Sequence, residues 1–185
     1  MAVRRILRMG HPHLRRVAQP LPTTEIGSAA FTRLLADMRD TLRDYGGVGL
    51  AAPQIDEPVR VAIIELGEAP SRYGDVPHVP LTTFINPTIE VLDDASEGFW
   101  EGCLSVPGLR GYVSRPQHVR VRYLDVDGAA QEMTLQGFPA TVVQHEFDHL
   151  DGRLYVDLIK DTRMLIFEGE LDRHRSFWEQ HQTGS

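Results

Sequence analysis

The segment "VVQHEFDHLDG", residues 142–152, constrains this chain more than any other. Its H-E-x-x-H pattern puts His145 and His149 one helical turn apart on the same face, so both imidazoles can reach one ion. A helix must therefore run through these residues, and Gln136 to Leu150 suits one, with Gly152 just past its end. Glu146 projects beside the same point, where it can take a proton from water held there. A catalytic metal usually needs a third protein ligand, so the remaining chain has to deliver one to this helix.

Two segments offer that ligand. Downstream, "FEGELD" supplies Glu168 with Asp172 behind it, the arrangement a zinc endopeptidase would use. Upstream, "EGCLSVPG" (101–108) supplies Cys103, the single thiol of the chain, beside Gly102. As a thiolate, Cys103 is a strong ligand for zinc or ferrous iron, and a Cys-His-His set leaves a fourth position open. A purely structural zinc site would need a fourth protein ligand, and none stands near these motifs. A further glycine-rich stretch, "GGVGLAAPQ" (46–54), lacks the spacing and the lysine of a phosphate loop. It ends on Gln54, whose amide N–H is a candidate oxyanion donor.

The frame around these motifs reads as α+β. From Ser28 to Tyr45, Phe31, Leu34, Leu35, Met38, Leu42 and Tyr45 recur at helical spacing, and Gly46 and Gly47 supply the stop. "VRVAIIEL" (59–66) reads as a buried strand, and residues 67–80 as a surface loop. "HVRVRYL" (118–124), "DVDG" and "AAQEMTL" together predict a hairpin. "RLYVDLI" (153–159) predicts another strand, and the tail from Thr162 to about Gln182 a helix. No repeat or linker divides the 185 residues, so residues 1–185 are expected to form a single catalytic domain.

Charge and composition exclude several classes. A net charge of −7 and a pI near 5.6 argue against a nucleic-acid-gripping protein. With one cysteine, no intramolecular disulfide can form. No apolar run approaches the length that spans a bilayer. Residues 1–16 carry five arginines and no acid, a composition shared with organelle transit peptides. However, "MGHPHLRR" interrupts any amphipathic helix there, and serines are absent. The expectation is a mature N-terminal arm on a cytoplasmic protein.

Taken together and in order, "GVGLAAPQ", "EGCLS" and "QHEFDH" resemble the three motifs of peptide deformylases. The likeness extends to "ILRMGHPHLRRVA" near the start and to "FINPTIE". It implies antiparallel sheets packed around a central metal-binding helix, with a helix at the C-terminus. It also implies that Cys103, His145 and His149 hold the metal, and that Glu146 is the general acid/base. Gln54 and the backbone N–H of Leu104 would stabilise the oxyanion. Glu101 and Asp148 fill motif positions and are expected to orient the ligands, with Arg110 or Arg115 as ionic partner.

The activity implied is removal of the formyl group from the N-terminal formyl-methionine of a nascent polypeptide, with release of formate. Water activated on the metal would attack the formyl carbon while Glu146 shuttles the proton. Fe(II) is the implied native metal, with zinc, nickel or cobalt possible in purified protein. The implied partners are the formyl-methionyl peptide and, transiently, the ribosome, with no specific nucleic-acid recognition and no membrane. Methionine needs an apolar pocket, for which Thr141 and Val142 share a helix face with His145. Val48 and Gly49 can pair with the peptide as an added strand, and Leu109 can add a wall.

Overall fold

A computed structural model of the chain describes residues 2–67 and 78–181. Six strands form one antiparallel sheet: β1 (Gly49–Ala51), β2 (Val61–Leu66), β3 (Val79–Cys103), β4 (Val106–Leu124), β5 (Ala130–Gln136) and β6 (Leu165–Phe167). They run in the order β1-β2-β3-β4-β5, and β6 also pairs with β4. Four helices accompany them: α1 (Ala29–Tyr45), α2 (Phe138–Leu150), α3 (Glu168–Arg173) and α4 (Arg175–His181).

The near-continuous apolar run of β2 follows from burial on both faces. Ala62 and Ile64 pack with Val143, Phe147 and Leu150 of α2. Val61 and Ile63 pack on the other side with Phe31, Met38 and Leu42 of α1. The sheet is thus held between the two helices, and truncating Phe147 to alanine would cost about 3–5 kcal/mol. Local chemistry sets the ends of α1. Ser28 Oγ accepts from Phe31 N at 3.1 Å, and Gly46 closes the helix at φ 64°.

α2 starts after Gly137, which takes φ 63°, and has Pro139 in its first turn. Its faces are buried nearly all round, so the histidines and acids it carries lie inside the protein. β3 is long and irregular, with shifts of register against β4 between Ile85 and Thr88, Val91 and Ser96, and Glu101 and Cys103. Such irregularities bend a strand. The last of them sits where β3 delivers Cys103 to α2.

The α+β architecture agrees with the sequence reading, as do α1, β2, the β4–β5 hairpin and α2. Two segments do not. Residues 153–159 are not a strand: Tyr155–Leu158 form a 3₁₀ turn, because the Asp157 carboxylate accepts from Leu154 N at 2.8 Å and holds the chain in that turn. Leu154 and Tyr155 then fill a third apolar cluster with Val106 and Val113. The C-terminal tail is not one helix either. A 3₁₀ turn at Thr162–Met164 leads into β6, which adds to β4 at Leu109–Gly111 before α3 and α4 follow. Pairing with an available edge overrides helical propensity there. The loop expected at 67–80 lies mostly outside the described residues, and Val79 and Pro80 already belong to β3.

Candidate active site

The end of β3 and the second half of α2 bring Cys103, His145 and His149 together, with one ligand atom from each lying within 4.8 Å of the others. Among the described residues this is the one such cluster. Cys103 Sγ lies 3.3 Å from His149 Nε2. The same sulfur accepts from the Ser105 backbone N–H at 3.4 Å and from Gln54 Nε2 at 3.6 Å. Gln54 is fixed at both ends. Its Oε1 accepts from Ala51 N at 2.8 Å, and its Nε2 also donates to Ser105 Oγ at 3.2 Å. The amide N–H is thereby aimed at the cluster.

Behind His145 stands a buried ionic network. Glu101 Oε2 is 2.7 Å from His145 Nδ1. Arg115 grips the Glu101 carboxylate with Nε at 2.6 Å and Nη2 at 3.1 Å, and reaches Asp148 with Nη1 at 2.7 Å. Asp148 therefore touches no ligand imidazole; its carboxylate is shared between Arg115 and Arg153, and it acts through Arg115. Glu168, the rival ligand, is not in the cluster at all. It is held by Arg110 at the junction of β6 and α3.

Burial and charge divide the protonation states. Burial, with the positive His145 and Arg115 nearby, holds the His149 imidazole well below its usual range, in the neutral form that ligates. Burial also disfavours charge on His145, but the Cys103 sulfur and the Glu101 carboxylate outweigh it and hold that imidazole well above its usual range. Burial pushes Glu146 up to about 7, against the opposing charge of His145. Its Oε2 is buried and accepts no hydrogen bond. A thiolate and two imidazoles fit a borderline-soft divalent metal, and the unsatisfied Glu146 oxygen beside them fits a proton acceptor.

Gly49 lets β1 pass directly over Glu146, since a β-carbon there would collide with the Glu146 carboxylate. Over the cluster opens a cleft of about 890 Å³, lined in part by Val48, Gly49, Leu104 and Leu109. A smaller recess of about 40 Å³ adjoins it between Val48, Phe99, Trp100, Phe138, Thr141 and Val142. Phe99, Trp100 and Phe138 were not singled out by the sequence reading, although an apolar Phe-Trp pair two residues before Gly102 was a visible signal. Ser105, which braces both Gln54 and Cys103, gave no signal beyond its motif position.

A Cys-His-His cluster that could hold a metal ion, with a buried carboxylate oxygen free of hydrogen bonds beside it, fits a metalloenzyme built on an antiparallel sheet and a central helix. The family model of polypeptide deformylases matches residues 3–164. A peptide deformylase of Leptospira biflexa is 42% identical over 172 residues, covering 93% of this chain and 96% of that protein. The peptide deformylase 2 of Pseudomonas syringae pv. tomato is 48% identical over 159 residues, covering 86% and 88%. The crystal structure of a class I type b peptide deformylase from Acinetobacter baumannii with Met-Ala-Ser bound superposes with a TM-score of 0.79. It is 37% identical and covers 85% of this chain and 99% of that one. The chain belongs to the polypeptide deformylase family and is an enzyme of that class.

Proposed function

We propose that this enzyme hydrolyses the formyl amide at the N-terminal formyl-methionine of nascent polypeptides, with Cys103, His145 and His149 as metal ligands. The observation that carries the mechanism is the buried Glu146 Oε2, free of hydrogen bonds, beside the three ligands. A divalent ion bound there supplies Lewis acidity to a substrate oxygen and acidifies water.

The chain's own residues do the rest. Glu146, with a carboxyl near neutrality, takes a proton from the attacking water and returns it to the departing amine nitrogen. The C–N bond breaks, so that one water and one formamide leave as formate and a free amine. Gln54 Nε2 and the Leu104 N–H donate to the oxygen that becomes negative, each such donor being worth about a hundredfold to a thousandfold in rate. Glu101 orients His145, and Arg115 holds Glu101 and Asp148 in place.

The methionine side chain enters the recess walled by Val48, Thr141 and Val142, with Leu109 further along the cleft. β1 is the last strand of the sheet path, so Val48 and Gly49 can pair with the peptide backbone. The Acinetobacter relative bound to Met-Ala-Ser supports a peptide with leading methionine as ligand. Fe(II) is the native ion in this reading, and zinc, nickel or cobalt can replace it in purified protein. Residues 1–185 act as one catalytic domain in the cytoplasm, meeting the ribosome only in passing. No described helix is long and apolar enough to cross a membrane.

The test is formate release from a formyl-Met peptide by anaerobically purified protein of known metal content. Formate appearing in proportion to bound metal is the expected result. Metal-replete protein that releases none would overturn the reading.

A further inference from the structure

Four arginines line the catalytic cleft: Arg5, Arg8, Arg43 and Arg110. Two of them are engaged. Arg43 pairs with Glu65 at 3.2 Å, and Arg110 is held by Glu168. Arg4, next to Arg5 in the chain, is likewise tied to Asp37 and Glu57. Arg5 and Arg8 differ. Both are exposed, and among the described residues neither forms an ion pair or a side-chain hydrogen bond.

The backbone that carries them is fixed against the site. Leu7 N donates to Gln54 O at 2.8 Å, and Met9 N donates to Ser105 O at 2.7 Å. Residue 8 is thus clamped between the 3₁₀ turn at Ala52–Ile55 that presents Gln54 and the turn that follows Cys103. Ile6, between Arg5 and Leu7, is buried in the core. A chain of net charge −7 therefore presents two uncompensated guanidinium groups on an ordered arm at its catalytic cleft. Guanidinium forks match carboxylates, and an ordered arm loses little freedom in binding one.

We propose that Arg5 and Arg8 form a carboxylate-recognition subsite in the catalytic cleft, which favours peptides bearing an acidic side chain shortly after the methionine. This rests on the deformylase reading above. The arginines are exposed, so the preference is modest, about three- to tenfold in kcat/KM, and added salt weakens it. Because the contact is made equally before and during the reaction, it acts through KM.

The test uses C-terminally amidated formyl-Met peptides with glutamate or glutamine at the second, third or fourth position, together with an all-alanine peptide as amide and as free acid. The wild-type enzyme should prefer glutamate over glutamine at one of these positions by the stated factor. Arg5→Gln and Arg8→Gln should each move that ratio towards one. The double variant Arg5→Glu/Arg8→Glu should invert it and favour a lysine peptide, a reversal that general structural damage would not produce. A wild-type ratio near one at every position would overturn the proposal, as would a ratio unchanged in the double variant. A preference confined to the free-acid peptide would overturn the side-chain assignment. If even the glutamine and alanine peptides release no formate, the deformylase reading falls first and this inference with it.

Discussion

Glu101 stands between a candidate ligand and a buried cation: its Oε2 lies 2.7 Å from His145 Nδ1, while Arg115 holds the same carboxylate through Nε at 2.6 Å. The imidazole is thereby fixed with its other nitrogen free to ligate. Glu101→Gln weakens that orientation, and metal affinity should fall by about 10- to 100-fold. Competition with a chelator of known affinity, using wild type and variant, measures it.

Arg115 is 4% exposed and neutralises both Glu101 and Asp148. Arg115→Met leaves two buried carboxylates without that cation, and the expected loss is about 3–5 kcal/mol of stability. Urea denaturation gives the number. A loss below about 1 kcal/mol would mean that the network contributes little more than an exposed pair.

Gly49 passes so close to Glu146 that any β-carbon must displace the carboxylate. Gly49→Ala should therefore retain the fold, seen by circular dichroism, and lose about a hundredfold in formate release, as expected when a reacting group shifts by about an ångström.

Metal content separates the two candidate third ligands. Cys103→Ser should lose most of its bound metal when purified, whereas Glu168→Gln should keep it, because Glu168 belongs to the Arg110 contact and lies outside the cluster. The opposite pattern would restore the endopeptidase reading.

Asp157 links the 3₁₀ turn to the N-terminal arm through Leu154 N and Arg15. Burial alone would raise its carboxyl, but Arg15 and the Leu154 N–H outweigh this and hold it below the ordinary 3.8. A depressed folded value gives stability that is present above 3.8 and lost as pH falls through the folded value. Asp157→Asn should therefore be less stable than wild type at neutral pH. The gap should narrow as pH falls below 3.8, as followed by urea denaturation.

How much was legible beforehand depended on range. His145 and His149 declare themselves because a helix places residues four apart on one face, and α1 announces both its ends through Ser28 and Gly46. Cys103 does not, because it lies 46 residues from His149 and reaches it only through the irregular course of β3. Only the resemblance to a family chose it over Glu168. The segment at 153–159 misled because its apolar alternation suits a strand, while a single carboxylate, Asp157, turns the chain instead. β6 was hidden in a helix-forming tail because its partner edge at Leu109–Gly111 is a product of the fold. Arg5 and Arg8 looked like part of a basic arm until the bonds from Leu7 and Met9 placed that arm against Gln54 and Ser105.

The most direct test of the central claim, that Glu146 moves the proton beside a metal held by Cys103, His145 and His149, is formate release by Glu146→Gln with metal measured on the same sample. The account predicts metal at the wild-type level and activity lower by about a hundredfold to ten-thousandfold. Wild-type activity in a fully metallated Glu146→Gln enzyme would contradict it.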